Sequence, residues 1–234
     1  MKPYYDHNGI TIYHADCREI LMGLEFDAVA TDPPYGVNGA QNSKTVRARG
    51  HRKNEYTLFE DSVEYVVSVA VPIIEWLVGC HIPTVLTPGN RCLTHYPQPD
   101  SFGAIYQPAS VGLQPWGRAD AQPIFYYGKS PHGGMMLPSQ RCSFVNTTGL
   151  AKGERSGHPC PKPLHLWTQI VRSCSADSDV MCDPFMGSGT TLRAAKDLGR
   201  HAIGIEVEEK YCEIAARRLE QEVFDFEEPS NEAN

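Results

Sequence analysis

The C-terminal part of the chain alternates helices with strands, and that alternation decides the fold class. Leu164, Trp167, Ile170, Val171 and Cys174 fall on one face of a helix over 164–174. The turn Asp177-Ser178-Asp179 and the strand Val180-Met181-Cys182 follow. A helix over 188–198 places Leu192, Ala195 and Leu198 in register. A strand runs from His201 to Glu206, and a helix over 208–221 carries Tyr211, Ile214, Ala215 and Leu219. Upstream, strands are expected at 10–16, 27–32, 83–88 and 122–128. Residues 17–24 read as a short helix. Residues 62–79 carry apolar side chains at helical spacing, with Pro72 set to kink or interrupt them. This pattern predicts an α/β protein on a doubly wound, mostly parallel sheet with helices on both faces.

In such a sheet, ligands bind outside the carboxyl ends of the strands, where the strand order reverses. Two strand ends here carry chemistry. The first is Asp32-Pro33-Pro34-Tyr35, behind the apolar run Phe26 to Thr31. Asp32 offers a carboxylate acceptor. The prolines fix φ and present carbonyls without N–H groups of their own. Tyr35 offers a flat ring for stacking, or for plain aromatic packing. The set suits a flat substrate bearing an amine.

The second is Asp183-Pro184-Phe185-Met186-Gly187-Ser188-Gly189-Thr190-Thr191, between a strand and a helix. Gly187 and Gly189 let backbone approach a ligand, and the following helix offers free N–H groups to an anionic group. Glu206 ends the next strand, where an acid accepts hydrogen bonds from ribose hydroxyls. The third glycine of the dinucleotide pattern is absent, and the phosphate-loop pattern G-x-x-x-x-G-K-[ST] fails. An amino-acid-bearing nucleoside fits better, with Asp183 for an ammonium, the Gly and Thr groups for a carboxylate, and Glu206 for the ribose. That describes S-adenosylmethionine. The plainer alternative is a tight turn whose acid caps a helix. Asp16, ending strand 10–16 beside Glu206, either reaches the adenine amine or caps residues 17–24. If strands 180–183, 201–206 and 10–16 form one half of the sheet, Asp32 lies beside Gly187 at the switch point.

With 234 residues, 41% of them hydrophobic and 21% charged, the chain has an ordinary globular composition. Eight cysteines are scattered without a C-x-x-C pair, and nine histidines show no ligand spacing, so reduced thiols and no metal are expected. No apolar run is long enough for a membrane span, and the first residues lack the apolar core of a signal peptide, so the expected location is cytoplasmic. The net charge of −7 does not advertise a nucleic-acid binder. Yet Lys44, Arg47, Arg49, Arg52 and Lys53 place five cations in ten residues. They form either a phosphate-binding stripe or a solvated loop.

These motifs and their order resemble the β class of DNA amino-methyltransferases, in which D-P-P-Y precedes F-x-G-x-G. His158, Pro159, Lys162 and Pro163 are similar to the H-P-t-q-K-P element of that class, with Cys160 and Pro161 departing from it. The resemblance covers residues 10–35 and 157–219. It implies a Rossmann-like methyltransferase sheet with a small inserted recognition region, acting in a prokaryotic or phage-infected cell within restriction-modification. The implied cofactor is S-adenosylmethionine and the partner double-stranded DNA, with no membrane. Many members dimerise, so a homodimer is among the implied assemblies.

Asp32, Pro33, Pro34 and Tyr35 would be catalytic. Asp16, Asp32, His158, Lys162, Asp183, Phe185, Gly187, Ser188, Gly189, Thr190, Thr191 and Glu206 would hold the cofactor. In domain terms, 1–35 and 157–223 form the core, 36–60 a mobile basic loop, and 61–89 a core helix and strand. Residues 90–156 form a target-recognition region with some core strands, and 224–234 an acidic tail. Arg91, Gln98, Gln107, Gln114, Arg118 and Gln122 can in principle read base edges there. Asp32 in place of Ser favours adenine N6 over cytosine N4 in the family pattern. Other readings are an N4-cytosine or RNA methyltransferase, a module that binds nucleic acid without catalysis, and a nicotinamide-dependent oxidoreductase.

Overall fold

The computed structural model describes residues 1–37, 61–106, 112–114, 117–132, 142–145 and 162–220. Among them runs a nine-stranded sheet in the order β1-β2-β11-β10-β3-β4-β8-β5-β9. Its strands are β1 (Tyr5–His7), β2 (Ile10–His14), β3 (Ala28–Thr31), β4 (Thr84–Leu86), β5 (Ser101–Tyr106), β8 (Ala121–Tyr127), β9 (Phe144–Val145), β10 (Val180–Asp183) and β11 (His201–Glu206). A separate hairpin pairs β6 (Gly112–Gln114) with β7 (Gly117–Ala119).

The five strands β2, β11, β10, β3 and β4 are mutually parallel. β8 enters antiparallel between β4 and β5. The strand order reverses at β10, whose neighbours are β11 on one side and β3 on the other. The doubly wound expectation from the alternating pattern is therefore met, with strands from the two chain ends forming one half.

All four residues of β3 and all three of β4 are buried, as a parallel sheet covered on both faces requires. Ala28 and Ala30 face one core, with Leu166, Ile170 and Val171 of α4 (Leu164–Cys174), Leu192 of α5 (Thr190–Asp197) and Leu219 of α6 (Glu209–Glu220). Val29 faces the other, with Cys17 of α1 (Cys17–Ile20), Val66 and Ala70 of the π turn Val66–Ala70, and Ile74 and Leu77 of α3 (Val71–Gly79). A fully buried Leu or Ile contributes roughly 1.5–3 kcal/mol, so these two layers supply the main stabilisation.

The helix expected over 62–79 survives Pro72. Ser62 caps α2 (Val63–Tyr65) by accepting from Tyr65 N at 3.0 Å. The π turn follows, and Pro72 then lies in the first turn of α3, where a missing N–H costs little. Five strands, β1, β5, β6, β7 and β9, fall where none was expected. β5 lies in a Pro- and Gln-rich stretch. β1 is turned by Asn8 and Gly9, with φ of 50° and 76°, and that Asn-Gly pair is a hairpin signal.

Gly204 on β11 lies beneath the turn after β10. A Cβ there would strike the Met186 sulfur and stand 2.7 Å from a Leu192 methyl. Both neighbours are buried, so Gly204→Ala overpacks this layer. The expected cost is about 1–3 kcal/mol, read as a lower urea midpoint at unchanged m-value. An unchanged midpoint would contradict this packing.

Candidate active site

Asp32 to Tyr35 leave the carboxyl end of β3, beside the turn that leaves β10. Parallel pairing brings Met181 opposite Ala28 and Cys182 opposite Val29. The two strand ends are joined by side chains. Thr31 Oγ1 donates to Asp183 Oδ1 at 2.7 Å, and Thr191 Oγ1 of α5 donates to Asp183 Oδ2 at 2.6 Å. Phe185 N adds a third bond to Oδ1 at 3.1 Å. Asp183 is 2% exposed. Its carboxylate is turned inward as a fastener. Burial pushes its pKa up to about 6, against the pull of the two threonine hydroxyls.

The tetrapeptide Asp32-Pro33-Pro34-Tyr35 is held by backbone and side chain. Asp61 Oδ1 accepts from Tyr35 N at 2.8 Å and from Gly36 N at 2.7 Å. The Tyr35 ring lies against Gly89, where a Cβ would stand 2.7 Å from the ring carbon Cγ. The phenol uses its donor and both acceptor positions. It donates to Asp32 Oδ1 and accepts from Gln122 Nε2 and from Lys162 Nζ, the last at 2.5 Å. Burial and the neighbouring Asp32 charge push the Tyr35 pKa well above its ordinary value, with Lys162 opposing. Thr87 Oγ1, just past β4, also donates to Asp32 Oδ1. Lys162 Nζ pairs with Asp32 Oδ2 at 2.9 Å. Nζ is 4.6 Å from the Tyr35 ring centroid. With 2.5 Å to the hydroxyl, that distance sets the ammonium at the hydroxyl end of the ring, so it does not cover the ring face.

On the other side of the switch point, Gly189 adopts φ 75° ahead of α5, and a Cβ there would stand 2.8 Å from Ala215 Cβ. Only glycine meets both conditions without strain. Glu206 Oε2 accepts from Gly187 N at 3.0 Å and Oε1 from Glu208 N at 2.9 Å. Burial raises its pKa to about 7, against those N–H bonds. Each oxygen keeps a lone pair for a further donor, so the turn and its acid fit a nucleoside with ribose hydroxyls. Ser188, Thr190 and Thr191 are buried, and Thr190 Oγ1 accepts from Arg218 at 2.9 Å. Phe185 is half-buried against the second core.

Asp16 caps α1. Its Oδ1 accepts from Arg18 N at 2.9 Å, and its Oδ2 meets Arg18 Nη2 at 2.5 Å. Those Arg18 bonds hold its carboxyl below the usual range. Of the two readings of Asp16, the structure therefore shows the helix cap. Lys44, Arg47, Arg49, Arg52, Lys53 and His158 lie outside the described residues. Thr87 and Asp61 carried no sequence signal beyond residue type. Gln122, read as a base-edge residue, sits on the Tyr35 hydroxyl.

A DNA methylase family model of the N6/N4 type matches residues 95–217. The chain belongs to that family. Type II methyltransferase M2.LlaDCHI of Lactococcus lactis subsp. cremoris is 44% identical over 248 residues, spanning 93% of this chain and 92% of the relative. M.ScaI of Streptomyces caespitosus is 26% identical over 271 residues, covering 94% and 84%. Among solved structures, the M1.HpyAVI–S-adenosylmethionine complex superposes with a TM-score of 0.60 at 25% identity, covering 91% of this chain and all of that one. The cytosine-N4-specific PvuII methyltransferase shares the fold, with a TM-score of 0.63 at 16% identity over 94% and 89%.

The raised pKa of Glu206 has a signed consequence. Between its unfolded value near 4.5 and its folded value near 7, the folded state binds the extra proton. Its stabilising contribution is present at low pH and lost as pH rises through 7. The unfolding free energy of the cofactor-free wild type therefore falls relative to Glu206→Gln between pH 4.5 and 7, by about 3 kcal/mol at most. Urea titrations across that range read it, and parallel curves would refute it.

Proposed function

We propose that this methylase transfers a methyl group from S-adenosylmethionine to the exocyclic amine N6 of adenine in double-stranded DNA. The observation that carries the reading is the adjacency of two strand ends. Asp32, aimed by Tyr35, Thr87 and Lys162, leaves β3 beside the glycine turn of β10, with Glu206 at the end of β11. Gly187, Ser188, Gly189 and Glu206 would hold the cofactor, and Phe185, Thr190 and Thr191 shape its turn. When bound, the cofactor supplies an electrophilic methyl whose carbon–sulfur bond breaks as the nitrogen–carbon bond forms.

The residues of the chain do the rest. An exocyclic amine is a weak nucleophile because its lone pair is delocalised into the ring. Acceptance of its protons by the Asp32 carboxylate and the Pro33 carbonyl favours a tetrahedral nitrogen and frees that pair. Pro34 stiffens the turn, and the face of Tyr35 stacks on a base turned out of the duplex. No cysteine is needed as a nucleophile. Burial keeps the thiols of Cys174 and Cys212 protonated, with pKa values pushed up to about 12.

Asp32 in place of Ser supports adenine. Cytosine N4 is the second reading, because the same fold serves the N4-specific PvuII enzyme. Methyl transfer to DNA followed by nucleoside mass spectrometry decides between them. The wild type should yield N6-methyladenine. Asp32→Ala should lower kcat on the order of 10³-fold while cofactor binding survives. A product containing only N4-methylcytosine would sink the adenine assignment, and a near-normal Asp32→Ala rate would sink the mechanism.

Lys44, Arg47, Arg49, Arg52 and Lys53 follow the catalytic motif in sequence and are assigned to DNA phosphates. Their neutralisation should weaken binding across sequences and flatten its salt dependence by about one unit of slope per lost contact. Affinity unaltered at moderate salt would return them to a solvated surface.

A further inference from the structure

The resemblance to the methyltransferase class gave Lys162 to the cofactor, but its ammonium lies between the two catalytic side chains. It is 2.9 Å from Asp32 Oδ2 and 2.5 Å from the Tyr35 hydroxyl. The Lys162 and Asp32 side chains are only 16% and 22% exposed, so the pair is poorly screened, unlike a surface ion pair. The acceptor positions of Asp32 can be counted. Oδ1 takes the Tyr35 and Thr87 hydroxyls and is filled. Oδ2 takes Lys162 and keeps one position.

Resting on the function proposed above, we infer that Lys162 is a positioning residue for methyl transfer. By bridging Asp32 and Tyr35 it blocks rotation of the carboxylate and leaves it a single acceptor direction. One amine N–H of the base takes that direction, and the other is left to the Pro33 carbonyl. Lys162 lies two residues ahead of Leu164, the first residue of α4, so a helix packed on the sheet sets the placement of its backbone.

The test uses the full chain, with Lys162→Met, Lys162→Gln and Lys162→Arg beside the wild type. The Met and Gln variants should lose kcat at saturating cofactor on the order of 10²-fold. S-adenosylmethionine affinity by calorimetry should be unchanged. Arg should restore part of kcat. Circular dichroism and thermal melting check folding, and the Gln variant carries the test if Met does not fold. Weakened cofactor affinity with normal kcat at saturation would return Lys162 to the cofactor and overturn the inference. So would unchanged kcat in both the Met and the Gln variant. A wild type inactive on DNA would remove the proposed function and this inference together, whereas an active wild type with indifferent variants removes only the inference.

Discussion

Two threonine hydroxyls closing on one buried carboxylate hold the machinery in register. Thr31 belongs to β3, Thr191 to the first turn of the helix behind the glycine turn, and Asp183 to the strand between them. Burying a carboxylate costs several kcal/mol unless its lone pairs are met, and here three donors meet them. Any slippage of β3 against β10 would leave that charge short of partners. The pleat and the polar junction therefore specify the same alignment, and that alignment sets Asp32 beside the glycine turn.

A second polar assembly begins one residue further along β3. It depends on the first for position and differs from it in exposure. Asp183 is sealed within the protein, while the Asp32 side chain is 22% exposed. Adjacent carboxylates at one switch point thus divide into one that is sealed in and one that stays partly open. Burial and hydrogen-bond saturation make the division, since the chemical group is the same.

The fold was legible because strand and helix periods alternate without interruption after residue 164. Helix 164–174 and strand 201–206 match their expected bounds, since apolar spacing and turn residues mark both ends. β1, β6, β7 and β9 were not read because two or three residues are too few to show alternation, and β5 because it lies in a Pro- and Gln-rich stretch. In the site, Asp32, Tyr35 and the glycine turn announced themselves as motifs at strand ends. Asp61, Thr87 and Gln122 did not, because each reaches the site from a distant segment as a common residue type. Which way the Asp183 and Asp16 carboxylates point was not legible, for one reason. A sequence shows that a carboxylate is present at a strand end, while the direction it points is set by hydroxyls and guanidinium groups that only the folded chain brings near.

The strand order also has a consequence for how the molecule comes to exist. Asp183 and Thr31 are 152 residues apart, yet they are nearest neighbours at the middle of the sheet. During synthesis, β3 leaves the ribosome long before the strand that covers one of its edges. Its buried apolar face and open hydrogen-bonding edge must wait for the C-terminal third, a long loop to close and a slow, non-local pairing to make. Until then the nascent chain presents a strand edge competent to pair wrongly, and it gains its cofactor-binding half only with its last elements. The arrangement that unites the two sites in the finished enzyme thus sets the interval in which the unfinished one is most open to aggregation.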